Sequence, residues 1–116
     1  MIRKTTAAAA LLALLAAPAL AHHGWSEYDQ KTTLTLQGTI KKSGYEHPHG
    51  YIELEAGGKL YTVVLAPPTR MQNRGLPQQN LAPGNPAKVE GYAKRSDPTE
   101  VRAERITVNG KTVELR

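Results

Sequence analysis

Cysteine and phenylalanine are both missing from this 116-residue sequence, and tryptophan occurs once. Without cysteine there is no disulfide framework, so an apolar core has to supply the stability. Also missing are a Gly-rich phosphate loop, a G-x-S-x-G elbow and an H-E-x-x-H helix, which removes the enzyme classes those motifs mark. Charge is only mildly one-sided, with 15 Lys and Arg against 10 Asp and Glu and no block of five or six like residues. Such a balance keeps a chain soluble and gives no reason to expect a nucleic-acid partner. A comfortable membrane span is lacking too, because the apolar stretch near the start is too short.

That stretch is informative for another reason. Arg3 and Lys4 precede an uncharged run of Ala and Leu from Ala7 to Leu20, which ends in Ala19-Leu20-Ala21. A basic segment, a short apolar segment and a small-x-small end are the three parts of a secretory leader. The sequence therefore predicts a signal peptide over residues 1–21, cleaved after Ala21, and a periplasmic or secreted protein with no stable membrane insertion afterwards. An uncleaved anchor is the competing reading, disfavoured by run length and by Pro18. Loss of Arg3 and Lys4 lowers the formal charge from +5 to +3. A mature chain of this length forms one core and rarely two, so residues 22–32 read as an arm and residues 33–116 as one domain.

Within that domain the pattern is strand and turn. Leu34, Leu36 and Ile40 share one parity between Thr33 and Lys42, and Gly38 completes the series with no side chain, as a sharply coiling barrel strand requires. Tyr51 to Glu55 alternates, Gly57-Gly58 supplies a tight hairpin, and Leu60 to Leu65 follows. Pro67 to Leu76 carries an early proline, Arg74 near its end and Gly75 as a left-handed cap, so one or two helical turns are expected. Leu81 to Pro86 is turn-rich and leads to strands over Ala87–Lys94 and Val101–Val108. Asn109-Gly110 then turns into Thr112–Leu115. The order β-β-β-α-β-β with a short last strand predicts an all-β, OB-like barrel of five to six strands, its helix between strands three and four. A generic six-stranded roll is the alternative.

All four histidines fall into two clusters, His22-His23 at the expected mature N-terminus and His47-Pro48-His49 between the first two strands. Histidine is the commonest metal ligand, and clustering invites a metal reading. Cleavage turns the His22 nitrogen from an amide into an amine that can bind metal beside its own imidazole. With a second imidazole from His47 or His49, this is a histidine brace, and all-nitrogen, nearly planar coordination suits Cu(II) above zinc. His23 either ligates or faces solvent. Pro48 stiffens the loop, which favours a preformed site and equally an ordinary turn. Glu27, Asp29 and Glu46 are available to orient a ligating ring.

These residues carry a resemblance to a family of small exported bacterial proteins of unknown function. Its members open after the leader with Ala-His-His-Ser, then show Gly-Thr-Val/Ile, Asn-Pro-His, a Pro-to-Arg-x-Gly helix and a Pro-Gly turn. Ala21-His22-His23-Gly24, Gly38-Thr39-Ile40, Pro48-His49, Pro68, Arg74-Gly75-Leu76 and Pro83-Gly84 match, across nearly the whole mature chain. His47 departs from the family's Asn and adds a ligand. The resemblance implies export and a barrel and brings no activity with it.

Other side chains rank lower. Glu53 and Glu55 point outward by alternation and read as solvated charge. Arg70 and Arg74, one helical turn apart, read first as a polar helix face and second as a grip for an anion. Met71 plugs the barrel end in preference to ligating Cu(I). Trp25, Tyr28, Tyr45 and Tyr51 flank the histidine clusters and either dock the arm or line a cleft. The reading that results is an exported copper-binding protein with ligands His22, His23, His47 and His49, exchanging its ion with another envelope protein. Its alternative is a metal-free barrel that binds a small anionic ligand, a glycan or an envelope protein. A copper enzyme comes third, since no residue pattern marks a substrate cleft.

Overall fold

A computed structural model describes residues 24–116. Six strands form one sheet: β1 (Leu34–Gly44), β2 (Tyr51–Ala56), β3 (Lys59–Val64), β4 (Pro86–Lys94), β5 (Asp97–Val108) and β6 (Lys111–Glu114). A helix, α1 (Pro68–Asn73), and a 3-10 turn (Gln78–Leu81) lie between β3 and β4. Strand order is β3-β2-β1-β4-β5-β6, and a further parallel pairing of β3 with β5 closes the first five strands into a barrel. This is the expected OB-like architecture, with β6 as one extra strand on β5. Among the described residues no helix is long and apolar enough to cross a membrane.

Gly38 shows how the ring bends. The first half of β1 pairs antiparallel with β4 from Leu34 to Thr39, and its second half pairs with β2 from Thr39 to Gly44. At the changeover a Cβ on residue 38 would stand 1.9 Å from the Glu55 carbonyl oxygen. Only glycine lets the two backbones approach that closely. The hairpins behave as their sequences require, with positive φ at Gly57 and Gly58 and again at Asn109 and Gly110.

Alternation fills the inside. Ile40, Leu54, Val63, Val89 and Ile106, one from each barrel strand, are fully buried, and so is Met71 of α1, which packs into the same core. Gly75 adopts φ 89° just past α1, as its predicted capping role demands. Strand β5 begins four residues earlier than its sequence suggested, at Asp97. The added residues are polar and exposed or half-buried, so no apolar period announces them. Their reason is tertiary, since Glu100, Val101 and Arg102 pair with Thr62, Val63 and Val64 to close the barrel.

Candidate functional site

Two backbone bonds fix the end of the loop between β1 and β2. The Gly50 N–H donates to the Ala66 carbonyl and the Leu65 N–H donates to the Gly50 carbonyl, each at 2.9 Å. His49 is thereby held at the barrel surface and is half-buried, while His47 and Glu46 stay exposed. The His47–Pro48 peptide bond is cis. One half-buried and the other exposed, the two loop histidines occupy different surroundings, and among the described residues His49 is the one hydrogen-bonded to another side chain.

That partner is Arg102. It lies on β5 between the buried Val101 and Ala103, where alternation turns its side chain out of the barrel, yet it is only 9% exposed. The cover comes from the segment before β1. Residues Trp25–Glu27 form a 3-10 turn, Tyr28 bridges to Lys94, the Asp29 N–H donates to Ala93 O at 2.8 Å and the Arg95 N–H donates to Glu27 O at 3.1 Å. The described part of the arm is thus bound to the β4–β5 hairpin. Its Trp25 ring lies 4.5 Å from the Arg102 guanidinium carbon and 4.2 Å from that of Arg116, with Tyr92 edge-on at 6.1 Å. Cation–π contact of this kind offsets part of the cost of burying a guanidinium.

Arg102 donates from Nη2 to the Nε2 of His49 across 3.2 Å. Because a guanidinium only donates, Nε2 accepts and the neutral ring carries its proton on Nδ1. Burial, then the positive charges of Arg102 and Arg70, hold the His49 pKa below its ordinary value. Arg102 is itself pushed down, chiefly by burial; Tyr28 opposes this, and Arg116 and Arg70 add to it. Among the described residues no carboxylate lies within ion-pair distance of Arg102, and its buried Nε has no hydrogen-bond partner. A buried cation without a counter-charge is costly and uncommon.

Beside this pair is a cleft of about 160 Å³ bounded by the arm, His49, Val64 and the hairpin residues Lys94, Glu100 and Arg102. Its two carboxylates are both engaged. The Tyr28 hydroxyl donates to Glu100 at 2.6 Å, and the Lys94 ammonium lies 3.7 Å from Glu27 and 3.8 Å from Glu100. Burial, then this hydrogen bond, raises the Tyr28 pKa. A broader hollow of about 580 Å³, by Gln37, Lys88 and Thr107, contains no histidine and a single charged side chain, so it offers little chemistry.

His22 and His23, the first expected ligands, lie outside the described residues, as do the predicted leader and its cleavage point. Among the described residues no group of three or more His, Asp or Glu is placed to hold a metal ion. Of the four expected ligands, His47 and His49 fall within the described residues. Arg70 and Arg74 turn to main-chain carbonyls: Arg70 donates to that of Leu115 at 3.0 Å, and Arg74 to those of Glu114 and Arg116 at 2.8 and 3.1 Å. They tie α1 to the end of the chain. Glu55 is exposed beside Lys41 at 3.7 Å, as its outward parity implied. Tyr45 donates to Leu76 O at 2.6 Å and Tyr51 is half-buried on β2, so of the four aromatics Tyr28 lines the cleft and Trp25 packs on Arg102 beside it.

The sequence singled out His49 and Trp25 and missed Arg102, Lys94 and Glu100. The available signal was a lone arginine between two core residues, Val101 and Ala103. That pattern ordinarily means an exposed strand face, and the covering arm comes from 77 residues earlier.

The barrel is similar to part of the protein in "Crystal structure of the TiaS-tRNA(Ile2)-ATP complex", with 20% identity and a TM-score of 0.52, covering 76% of this chain and 19% of that one. It is equally similar to "Crystal structure of the ZRD-deleted mutant of TiaS in complex with agmatine", with 19% identity and a TM-score of 0.51, covering 76% and 25%. At such identity the likeness shows the fold alone, and the chain spans a quarter or less of those proteins. No curated protein matches the sequence. A family profile does match, over residues 9–102, and by that match the chain belongs to DUF6152, a family of unknown function.

Proposed function

We propose that this is an exported metal-binding protein that holds copper between its mature N-terminus and the His47-Pro48-His49 loop. The observation that carries the reading is the docking of Trp25 on Arg102, whose guanidinium contacts His49. Three residues before Trp25 stands His22, and an extended residue spans up to about 3.6 Å. A free amine and imidazole at position 22 are therefore tethered within reach of the loop. His22 supplies two nitrogens, His49 a third, and His23 or His47 completes a set that suits Cu(II) better than zinc. Lowered basicity of His49 favours the neutral ring that a metal needs. The exposed His47 gives another envelope protein a place to receive or deliver the ion.

The test adds one residue ahead of His22 and compares copper affinity with that of the mature chain. Loss of well over tenfold, more than about 1.4 kcal/mol, is expected. Unchanged affinity rejects the brace, even where the loop histidines still bind.

One observation favours a second reading, a metal-free module for a small anionic ligand. Among the described residues the buried Arg102 has no carboxylate within ion-pair distance, and Arg70 and Arg116 add like charge to its surroundings.

A further inference from the structure

We propose that the His49–Arg102 end of the cleft receives the carboxylate of a small, singly charged ligand. This deepens the second reading and does not depend on copper. Three features point to it. Arg102 is 9% exposed, has among the described residues one hydrogen-bonded partner, the neutral His49 ring, and lines a hollow of about 160 Å³. A guanidinium carries five N–H donors in a planar fork that matches a carboxylate. One is used on His49, and among the described residues the buried Nε–H has no acceptor.

Size and charge narrow the ligand. The hollow has room for roughly five water volumes, at about 30 Å³ each. Arg116 shares the Trp25 ring with Arg102, at 4.2 and 4.5 Å, so two guanidinium charges stand together here. Glu27 and Glu100 also line the cleft, each within 4 Å of the Lys94 ammonium. Each additional negative charge on a ligand is repelled by those two, so a planar monoanion is preferred over a phosphate-like dianion. Val64 gives the remaining wall an apolar contact for a short aliphatic group.

His49 has a defined part. It accepts one Arg102 N–H and thereby sets the plane of the guanidinium, so it is a positioning residue. Trp25 closes the other face of the same group at 4.5 Å.

The test uses metal-free mature protein titrated with acetate and propionate, against phosphate and chloride, at constant ionic strength. The readouts are the NMR signals of the Arg102 Nε–H and the His49 ring, and Trp25 fluorescence. Saturable changes at about millimolar carboxylate are expected, in keeping with so few ligand atoms, with phosphate weaker and chloride inert. Arg102→Gln abolishes them, and His49→Gln weakens binding while the Trp25 signal persists. Should Arg102→Gln not fold, saturation of the wild-type Arg102 and His49 signals still decides. No saturable change overturns the proposal, as does a response that tracks ionic strength for every anion, or one that survives in a folded Arg102→Gln protein. The chain extended ahead of His22, which fails the copper test if the brace is real, still binds acetate, so the two readings fail separately.

Discussion

Arg102 and His49, 53 residues apart in sequence, meet through a hydrogen bond of 3.2 Å from guanidinium to ring nitrogen. The contact occupies the Nε2 lone pair and keeps the ring neutral. A metal that enters at Nε2 has to displace the guanidinium, whereas a carboxylate leaves the pair intact. The same two side chains thus set opposing requirements for a cation and an anion.

Trp25→Ala removes the ring that joins the arm to Arg102 and Arg116. Loss of the cation–π contacts and of the buried ring face costs about 1–3 kcal/mol, read from urea unfolding. Exchange of the Asp29 amide, which is bonded to Ala93 O, speeds up before any change at the core of β4. Unchanged Asp29 protection shows that the arm is held elsewhere.

The His49 pKa is depressed in the folded protein, first by burial and then by Arg102 and Arg70. Between that lowered value and the unfolded value of about 6.5 the unfolded chain binds more protons, so stability rises with pH. Its contribution is complete above the unfolded value and is lost as pH falls through 6.5 toward the folded pKa. Arg70→Gln raises the His49 pKa in an NMR titration and makes that loss shallower, and His49→Gln removes it. A rising stability on acidification across this window contradicts the assignment.

Gly38→Ala drives a methyl group to 1.9 Å from the Glu55 carbonyl oxygen, a backbone atom that cannot turn aside. We expect a loss of about 3 kcal/mol or more, seen as a lowered melting temperature. Gly24→Ala, with nothing within 4 Å of the added carbon, changes stability little.

Tyr28→Phe keeps the buried ring and deletes the 2.6 Å bond to Glu100. A hydrogen bond to a charged group contributes about 1.5–3 kcal/mol, and Lys94 retains Glu100, so the lower end of that range is expected. Calorimetry of the two proteins measures it.

Much of the barrel was legible because local chemistry and long-range geometry agree. Gly38 breaks a period-2 face where the strand must bend, Gly57-Gly58 and Asn109-Gly110 turn where their backbone freedom allows, and Met71 plugs the core as a flexible apolar side chain can. Arg70 and Arg74 were half legible. Their helical spacing was right, but their acceptors are the carbonyls of Glu114, Leu115 and Arg116, 40 to 45 residues away, which no local pattern reveals. Arg102 was not legible at all, since its burial depends on an arm folding back over the barrel. His49 was found for its neighbours in sequence and is distinguished from His47 by neighbours in space.

The rung that joins Val64 to Arg102 is one of three that turn an open sheet into a ring. Both residues wall the cleft, so the cleft has no existence in a chain whose seam has yet to shut. Ligand capture is then a report on completed folding, and any variant that springs the seam will go blind to its ligand at the same denaturant concentration at which it loses its shape.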